Sequence, residues 1–324
     1  MKICLILEGC YPYVFGGVST WMHQYINNMK EHEFILWVIG ANAKDRGKFV
    51  YELPQNVTAV HEVFLDDALH VKASGKMRHR FSKEETDSLR ELMICGRPDW
   101  EVLFSLYQEK RLNPMSYLQS EEFLDILTKS CLTHYPYIAF ADAFHTMRSM
   151  LLPVLYLLGT EVPKADVYHA ICTGYGGMLA CLGGWMYQKK VLLTEHGIYT
   201  REREEEIIRA KWVVPSFKKQ WISFFYMLSD IIYRRAFQVT CLFTNAMLIQ
   251  IQMGCDAKKC RVIENGIHYE RLSQIPLKQE DGWVDIGAVV RLAPIKDIKT
   301  MIYAFFELSM RKKNRSEERR VGKE

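Results

Sequence analysis

An α/β fold with a parallel sheet is what this sequence predicts, on three observations. Residues 2–7, 34–39 and 190–194 read as strands, and 34–39 is a continuous apolar run of the kind expected in a parallel sheet covered on both faces. Glycine turns and amphipathic helical patterns separate such runs, which is the order of repeated βαβ units. An apolar share of 49% over 324 residues is enough to bury a core of domain size.

In chain order, residues 2–7 form the first strand, and a loop over 8–17 ends in Gly16 and Gly17. A helix follows over 18–29. Val18, Trp21, Met22, Tyr25, Ile26 and Met29 share one face of it, and His23, Gln24, Asn27 and Asn28 the other. Residues 34–39 are the second strand. Residues 66–164 break the alternation with helical patterns near 84–94, 120–130 and 144–158, and read as a helical insertion serving as a lid or a partner surface. Alternation returns with a strand at 165–171, a glycine turn at 173–177, a helix at 178–187 and a strand at 190–194. A long helical region over 204–236, a strand at 238–244, a short helix at 245–253 and a strand at 260–264 complete a first domain spanning 1–267. The turn through Asn265 and Gly266 suits a positive φ at the glycine.

Residues 268–282, with Pro276 and Gly282, read as a linker. Residues 283–314 then open a second domain. It consists of a buried strand over 284–290, a short turn carrying Arg291 and Lys296, and a helix starting near Asp297. One strand and one helix cannot bury a core of their own. The expectation is therefore a two-lobed protein of which only the start of the second lobe is present, with little or no activity by itself. Residues 315–324 fit neither helix nor strand and are set aside as a non-native tail.

Composition removes several function classes. The formal charge is +4, but residues 311–324 hold seven Lys/Arg and three Asp/Glu, which leaves 35 cations against 35 anions in the body. A neutral body argues against nucleic acid as a partner. The nine cysteines are scattered without a Cys-x-x-Cys pair, which suits buried thiols in a reducing compartment and offers neither a disulfide framework nor a zinc set. No signal-peptide pattern opens the chain. The greasiest stretch, 221–243, is interrupted by Asp230, Arg234, Arg235 and Gln238, so it reads as a core helix. The expected location is cytoplasmic.

Ligands of open α/β sheets sit outside the carboxyl ends of the strands. Gly16 and Gly17, residues 174–177, His196 and Arg291 all fall at such positions. The glycine pair precedes a helix N-terminus, where bare amides can approach an anion or a sugar hydroxyl, although a tight turn explains it equally well. It is neither Gly-x-Gly-x-x-Gly nor a phosphate loop ending in Gly-Lys-Ser/Thr, which weakens a dinucleotide-dependent oxidoreductase. His196 leaves a strand directly before Gly197, so its ring is expected in the cleft. His169, inside a strand, is expected to be a satisfied core residue. Arg201 and Arg203 could reach an anion, yet the alternating charges over 201–209 also describe a solvated helix face. Arg291 and Lys296 within one strand-to-helix turn suit a diphosphate.

These segments together resemble the retaining family-four glycosyltransferases, whose two-lobed architecture is the GT-B fold. The family's second-lobe entry pattern of glycine, arginine and leucine followed shortly by lysine is matched by Val290-Arg291-Leu292 through Lys296, with Val290 in the place of glycine. Asn265-Gly266-Ile267 matches the turn before the linker, with Glu264 replacing a proline and His268 an acid. LEGCYPYVFGGVSTW over 7–21 and LTEHGIYTRER over 193–203 narrow the resemblance to members that serve exopolysaccharide synthesis, and the insertion is similar to their extended N-terminal region. The resemblance implies a Rossmann-like N-terminal sheet. It implies a UDP-sugar donor such as UDP-glucose, a glycan acceptor, retention of anomeric configuration, and no cofactor or obligatory metal. It places His196, Arg291 and Lys296 in catalysis, and Gly16, Gly17, Glu195, Arg201, Asn265 and Gly266 on donor or acceptor. Membrane-bound polysaccharide synthase subunits are the implied protein partners. A non-catalytic acceptor-binding or scaffold module is the competing expectation.

Overall fold

The computed structural model describes residues 1–74, 79–267, 269–277, 279, 286–290, 292 and 296–311. Residues 1–265 and 266–324 are separate compact units.

The first unit is built on seven strands: β1 (Lys2–Glu8), β2 (Glu33–Gly40), β3 (Val57–Phe64), β4 (Val167–Ala170), β5 (Lys190–Glu195), β6 (Gln238–Cys241) and β7 (Cys260–Val262). Their order in the sheet is β3-β2-β1-β4-β5-β6-β7, and every pairing is parallel. The chain first runs outward from β1 to β3, then returns to place β4 on the other side of β1. The strand order therefore reverses between β1 and β4, and the crossovers leave toward opposite faces there. Such a switch point opens a crevice at the carboxyl ends of the strands.

Strand alternation assigns the two faces. Ile3, Leu5 and Leu7 of β1 pack with Leu36 and Val38 of β2 and with Met22 and Ile26 of helix α1 (Gly17–Asn28). Cys4 and Ile6 face the other way, into a larger core with Ile35 and Trp37. That core is shared with helices α2 (Lys83–Met93), α3 (Trp100–Gln108), α4 (Pro114–Leu118), α5 (Glu121–His134), α6 (Phe140–Leu158), α7 (Gly174–Tyr187) and α9 (Lys218–Arg235). Leu103, Phe104, Leu151 and Leu155 of the insertion are almost wholly buried in the same cluster as Trp37 and Leu179. The insertion is thus helical as expected but is not a lid; it is the wall that covers one face of the sheet.

Local signals set the insertion's helices. Ser82 and Glu85 form a reciprocal capping box on α2, Asp99 caps α3, Asn113 with Pro114 starts α4, and Ser120 caps α5. Two of these helices, α3 and α4, have no counterpart in the periodicity reading. Trp100, Leu103, Phe104, Leu106, Tyr107 and Gln108 of α3 are all buried, so no polar stripe marks it. The edge strand β3 also escaped the reading, because its His61 and Glu62 interrupt an otherwise apolar run.

Between β5 and β6 the expected single helical region is two helices, α8 (Tyr199–Arg209) and α9, with the break at 210–217. Pro215 lies in that break, where it restricts the preceding residue and cannot donate to a helical ladder. Helix α9 is a core helix, burying Trp221, Phe224, Leu228 and Ile232. Helix α10 (Thr244–Gln252) precedes β7.

The second unit contains α11 (Tyr269–Ser273) and α12 (Ile298–Arg311). Asp297, at φ 41°, accepts the Thr300 amide at 3.5 Å, so α12 begins where the sequence indicates. Of the strand expected over 284–290, residues 284 and 285 lie outside the described residues. Residues 286–290 form no ladder among the described residues. Gly266 does not take a positive φ, contrary to expectation.

Candidate functional site

The two glycine clusters at the carboxyl ends of the strands turn out to be different things. In α7, Gly174 has φ +62°, and a Cβ on it would overlap the Tyr199 ring. A Cβ on Gly176 would meet the Cys172 sulfur at 2.9 Å, and one on Gly177 would meet Ile232 at 2.8 Å. The expected turn at 173–177 is therefore the buried first turn of a helix that begins at Gly174, and its glycines permit close packing. Gly16 and Gly17 are the opposite case. Both are exposed, Gly16 is extended at φ 172°, neither lies in the left-handed region, and a Cβ on either would meet nothing within 4 Å. Neither backbone conformation nor internal packing demands glycine there. The α1 N-terminus carries no side-chain cap. The amides of Gly17, Val18 and Ser19 find no acceptor among the described residues; Gly17 is exposed, Val18 half-buried and Ser19 buried.

His196 lies one residue beyond β5 and meets α1 one turn past the glycine pair. Its ring packs edge-on against Trp21, with centroids 4.5 Å apart and planes at 72°, and Trp21 in turn stacks on Tyr25 at 5.1 Å. His196 Nε2 is buried without a hydrogen-bond partner in the fold. Burial lowers its pKa, which leaves a neutral imidazole at pH 7. The structure thus brings Gly16, Gly17 and His196 onto one face of the first unit.

Two carboxylates end strands of the sheet, Glu8 half-buried and Glu195 buried. Glu8 closes β1, where its carboxylate accepts the Tyr199 hydroxyl at 2.9 Å and the Gly176 amide at 3.3 Å. The Arg203 guanidinium approaches it at 3.7 Å. Burial raises the Glu8 pKa, and the Arg203 charge opposes that rise. Glu8 therefore serves as the anion at the N-terminus of α7, a position a ligand phosphate would otherwise occupy. Glu195 closes β5 and is 2% exposed. It accepts the Tyr233 hydroxyl and the Gln250 amide, both at 2.8 Å, and the Tyr199 backbone amide at 3.1 Å. Its carboxylate is turned inward, tying α8, α9 and α10 to the strand end. That is a positioning role, in place of the ligand contact expected for it.

His169 is buried as expected but not satisfied. Its Nε2 lies 2.8 Å from the Thr194 hydroxyl, while Nδ1 has no partner. Burial, then the neighbouring His196, depresses its pKa to about 4.

The remaining expected residues are placed separately. Arg201 is exposed in the first turn of α8 and makes no ion pair among the described residues; Arg203 is the arginine that engages the strand end, stacked 5.0 Å over the Tyr199 ring. Asn265 is exposed at the end of the first unit, and Gly266 is exposed at the start of the second. Lys296 is exposed ahead of Asp297 and α12. Arg291 lies outside the described residues. Glu8, Trp21 and Tyr199 were not singled out by the sequence reading. A carboxylate as the last residue of a strand, directly before Gly9 with φ +64°, is the signal that marks Glu8.

Among the described residues, no cluster of three or more His, Cys, Asp and Glu side chains could hold a metal ion. No described helix is long and apolar enough to cross a membrane.

An open, all-parallel sheet with its crevice at the β1/β4 switch point, an uncapped glycine-led helix and an adjacent neutral histidine fit a glycosyltransferase-like fold. Residues 1–258 match the family described as "Domain of unknown function (DUF3492)", and the chain belongs to that family. No curated protein matches it.

Proposed function

We propose that this chain carries the acceptor-side lobe of a retaining, nucleotide-sugar-dependent glycosyltransferase, similar to family four and within it to PelF of Pel-type exopolysaccharide synthesis. The donor is a UDP-hexose such as UDP-glucose, the acceptor is a growing glycan, and the work is done in the cytoplasm beside membrane-bound synthase subunits.

The observation that carries this reading is the open glycine pair next to His196. Free amides at a helix N-terminus suit a diphosphate or a sugar hydroxyl. A neutral imidazole fixed by Trp21 suits a hydrogen bond to a substrate hydroxyl near the reacting sugar. The same geometry supports an oxidoreductase poorly, because Glu8 already fills the anion position at the N-terminus of α7. Arg291 and Lys296 are assigned to the donor diphosphate and its departure on their sequence pattern alone.

Calorimetric titration with UDP and UDP-glucose of the chain joined to a complete second lobe, together with Lys296→Ala and a donor-turnover assay on the same protein, tests the proposal. The expected result is saturable UDP binding that Lys296→Ala weakens about tenfold or more. Absence of nucleotide binding overturns it. Glycan binding without nucleotide binding would instead make the chain an acceptor-binding module.

A further inference from the structure

We infer that Cys255 and Cys260 form a reversible thiol–disulfide site whose oxidant is a low-molecular-weight disulfide of the glutathione type. Cys255 lies in the turn after α10, and Cys260 is the first residue of β7. Their sulfurs are 3.4 Å apart, and both side chains are buried, at 3% and 8% exposure. A disulfide requires the sulfurs to close by only ~1.4 Å.

The intervening turn supplies both the reach and the access. Asp256, Ala257 and Lys258 are exposed, so the short segment that joins the two cysteines runs at the surface. That turn is held by the Asp256 carboxylate, which accepts the Lys258 amide at 3.0 Å, and by the Lys259 ammonium, which donates to the Arg234 carbonyl at 2.8 Å. Opening it exposes both sulfurs without unfolding the sheet. Burial raises the Cys255 thiol pKa, so Cys255 is unreactive while the turn is closed, and the resting state in a reducing compartment is the dithiol. Cys241 is the neighbour that is not part of the pair; its thiol is directed at the carbonyls of Phe243 and Arg261, at 3.6 and 3.8 Å.

The reaction is an exchange in two steps. A thiolate of the pair attacks one sulfur of oxidised glutathione, and a first glutathione thiolate leaves. The second cysteine, as its thiolate, then attacks the mixed disulfide. The Cys255–Cys260 bond forms and a second glutathione thiolate leaves. The two protons lost by the cysteines go to the departing thiolates through solvent, and the two electrons lost by the protein reduce the oxidant. This site is independent of the glycosyltransferase reading.

The test is to treat the full chain with oxidised glutathione, block free thiols by alkylation, and map the tryptic peptides by mass spectrometry. Lys258 and Lys259 lie between the two cysteines, so trypsin converts the loop into two peptides that stay together only when linked. The expected result is a linked pair lighter by two hydrogens, separated by dithiothreitol, retained in Cys241→Ser and lost in Cys260→Ala. Free alkylation of both Cys255 and Cys260 on unfolding the oxidant-treated chain overturns the inference, as does a link that runs to Cys241.

Discussion

The Tyr199 hydroxyl donates to the Glu8 carboxylate across 2.9 Å, and the same residue's backbone amide donates to Glu195 at 3.1 Å. One residue at the start of α8 thus holds the carboxylates that end β1 and β5. Tyr199→Phe removes the hydroxyl and leaves the half-buried Glu8 with the Gly176 amide, the Cys172 thiol and the Arg203 charge. A hydrogen bond to a charged group is worth about 1.5–3 kcal/mol, so stability should fall by an amount in that range. Urea unfolding measures it, with the slope unchanged because the surface exposed on unfolding is the same. An unchanged midpoint would show that water replaces the hydroxyl at Glu8.

The contrast between the glycine clusters gives a second expectation. Gly174→Ala places a methyl against the Tyr199 ring at a backbone conformation that L-residues avoid, and it should cost more than about 1 kcal/mol. Gly16→Ala and Gly17→Ala meet open space and should change stability by no more than about 0.5 kcal/mol. If the α1 N-terminus receives a ligand, the same two substitutions should nevertheless weaken nucleotide or glycan binding. Thermal unfolding and calorimetric titration on the three variants separate the cases, and full binding by both surface variants would make that pair an ordinary turn.

His169 yields a stability profile with a definite sign. Its pKa is about 4 in the fold, against about 6.5 for an unperturbed histidine. Between those values the unfolded chain binds more protons, so stability falls as pH drops from about 6.5 to about 4 and is level above that window. The full contribution is about 3 kcal/mol. Glu8 and Glu195 act in the opposite direction, because burial raises their pKa and the fold then gains stability on protonation. Comparison with His169→Gln cancels them: the wild type should lose more stability on acidification than the variant. Parallel profiles would remove His169 from the account.

Much of this fold was legible in the residues. The core strands β1 and β2 are built on the apolar runs 3–7 and 34–39, the pattern of a parallel sheet covered on both faces. The site was legible in position only. Gly16, Gly17 and His196 follow strands or precede helices, which places them at the carboxyl ends. Periodicity says nothing, however, about which glycines are filled by neighbours. Residues 174–177 and Gly16-Gly17 look alike in sequence, and only the Tyr199, Cys172 and Ile232 side chains, which come from other elements or from just ahead of α7, separate them. The surroundings of Glu195 were hidden for the same reason: its partners Tyr233 and Gln250 lie far along the chain.

His196 offers the sharpest separation of chemistry from folding. Its Nε2 has no partner among the described residues, so His196→Ala forfeits no hydrogen bond there and removes its edge contact with Trp21. Stability should therefore change by less than about 1 kcal/mol. Donor turnover, if the imidazole serves the reacting sugar, should fall by about 100-fold. His196→Gln distinguishes the two ways a neutral imidazole could act. A side-chain amide can still hydrogen-bond a substrate hydroxyl but cannot relay a proton, so substantial rescue by glutamine identifies hydrogen bonding, and equal loss in both variants identifies proton transfer. The pH dependence gives an independent check. Because burial lowers the His196 pKa, protonation should inactivate the wild type only on acidification below the ordinary histidine range, and the glutamine variant should lack that limb. Turnover unaffected by either substitution would take His196 out of the mechanism while leaving the fold as described.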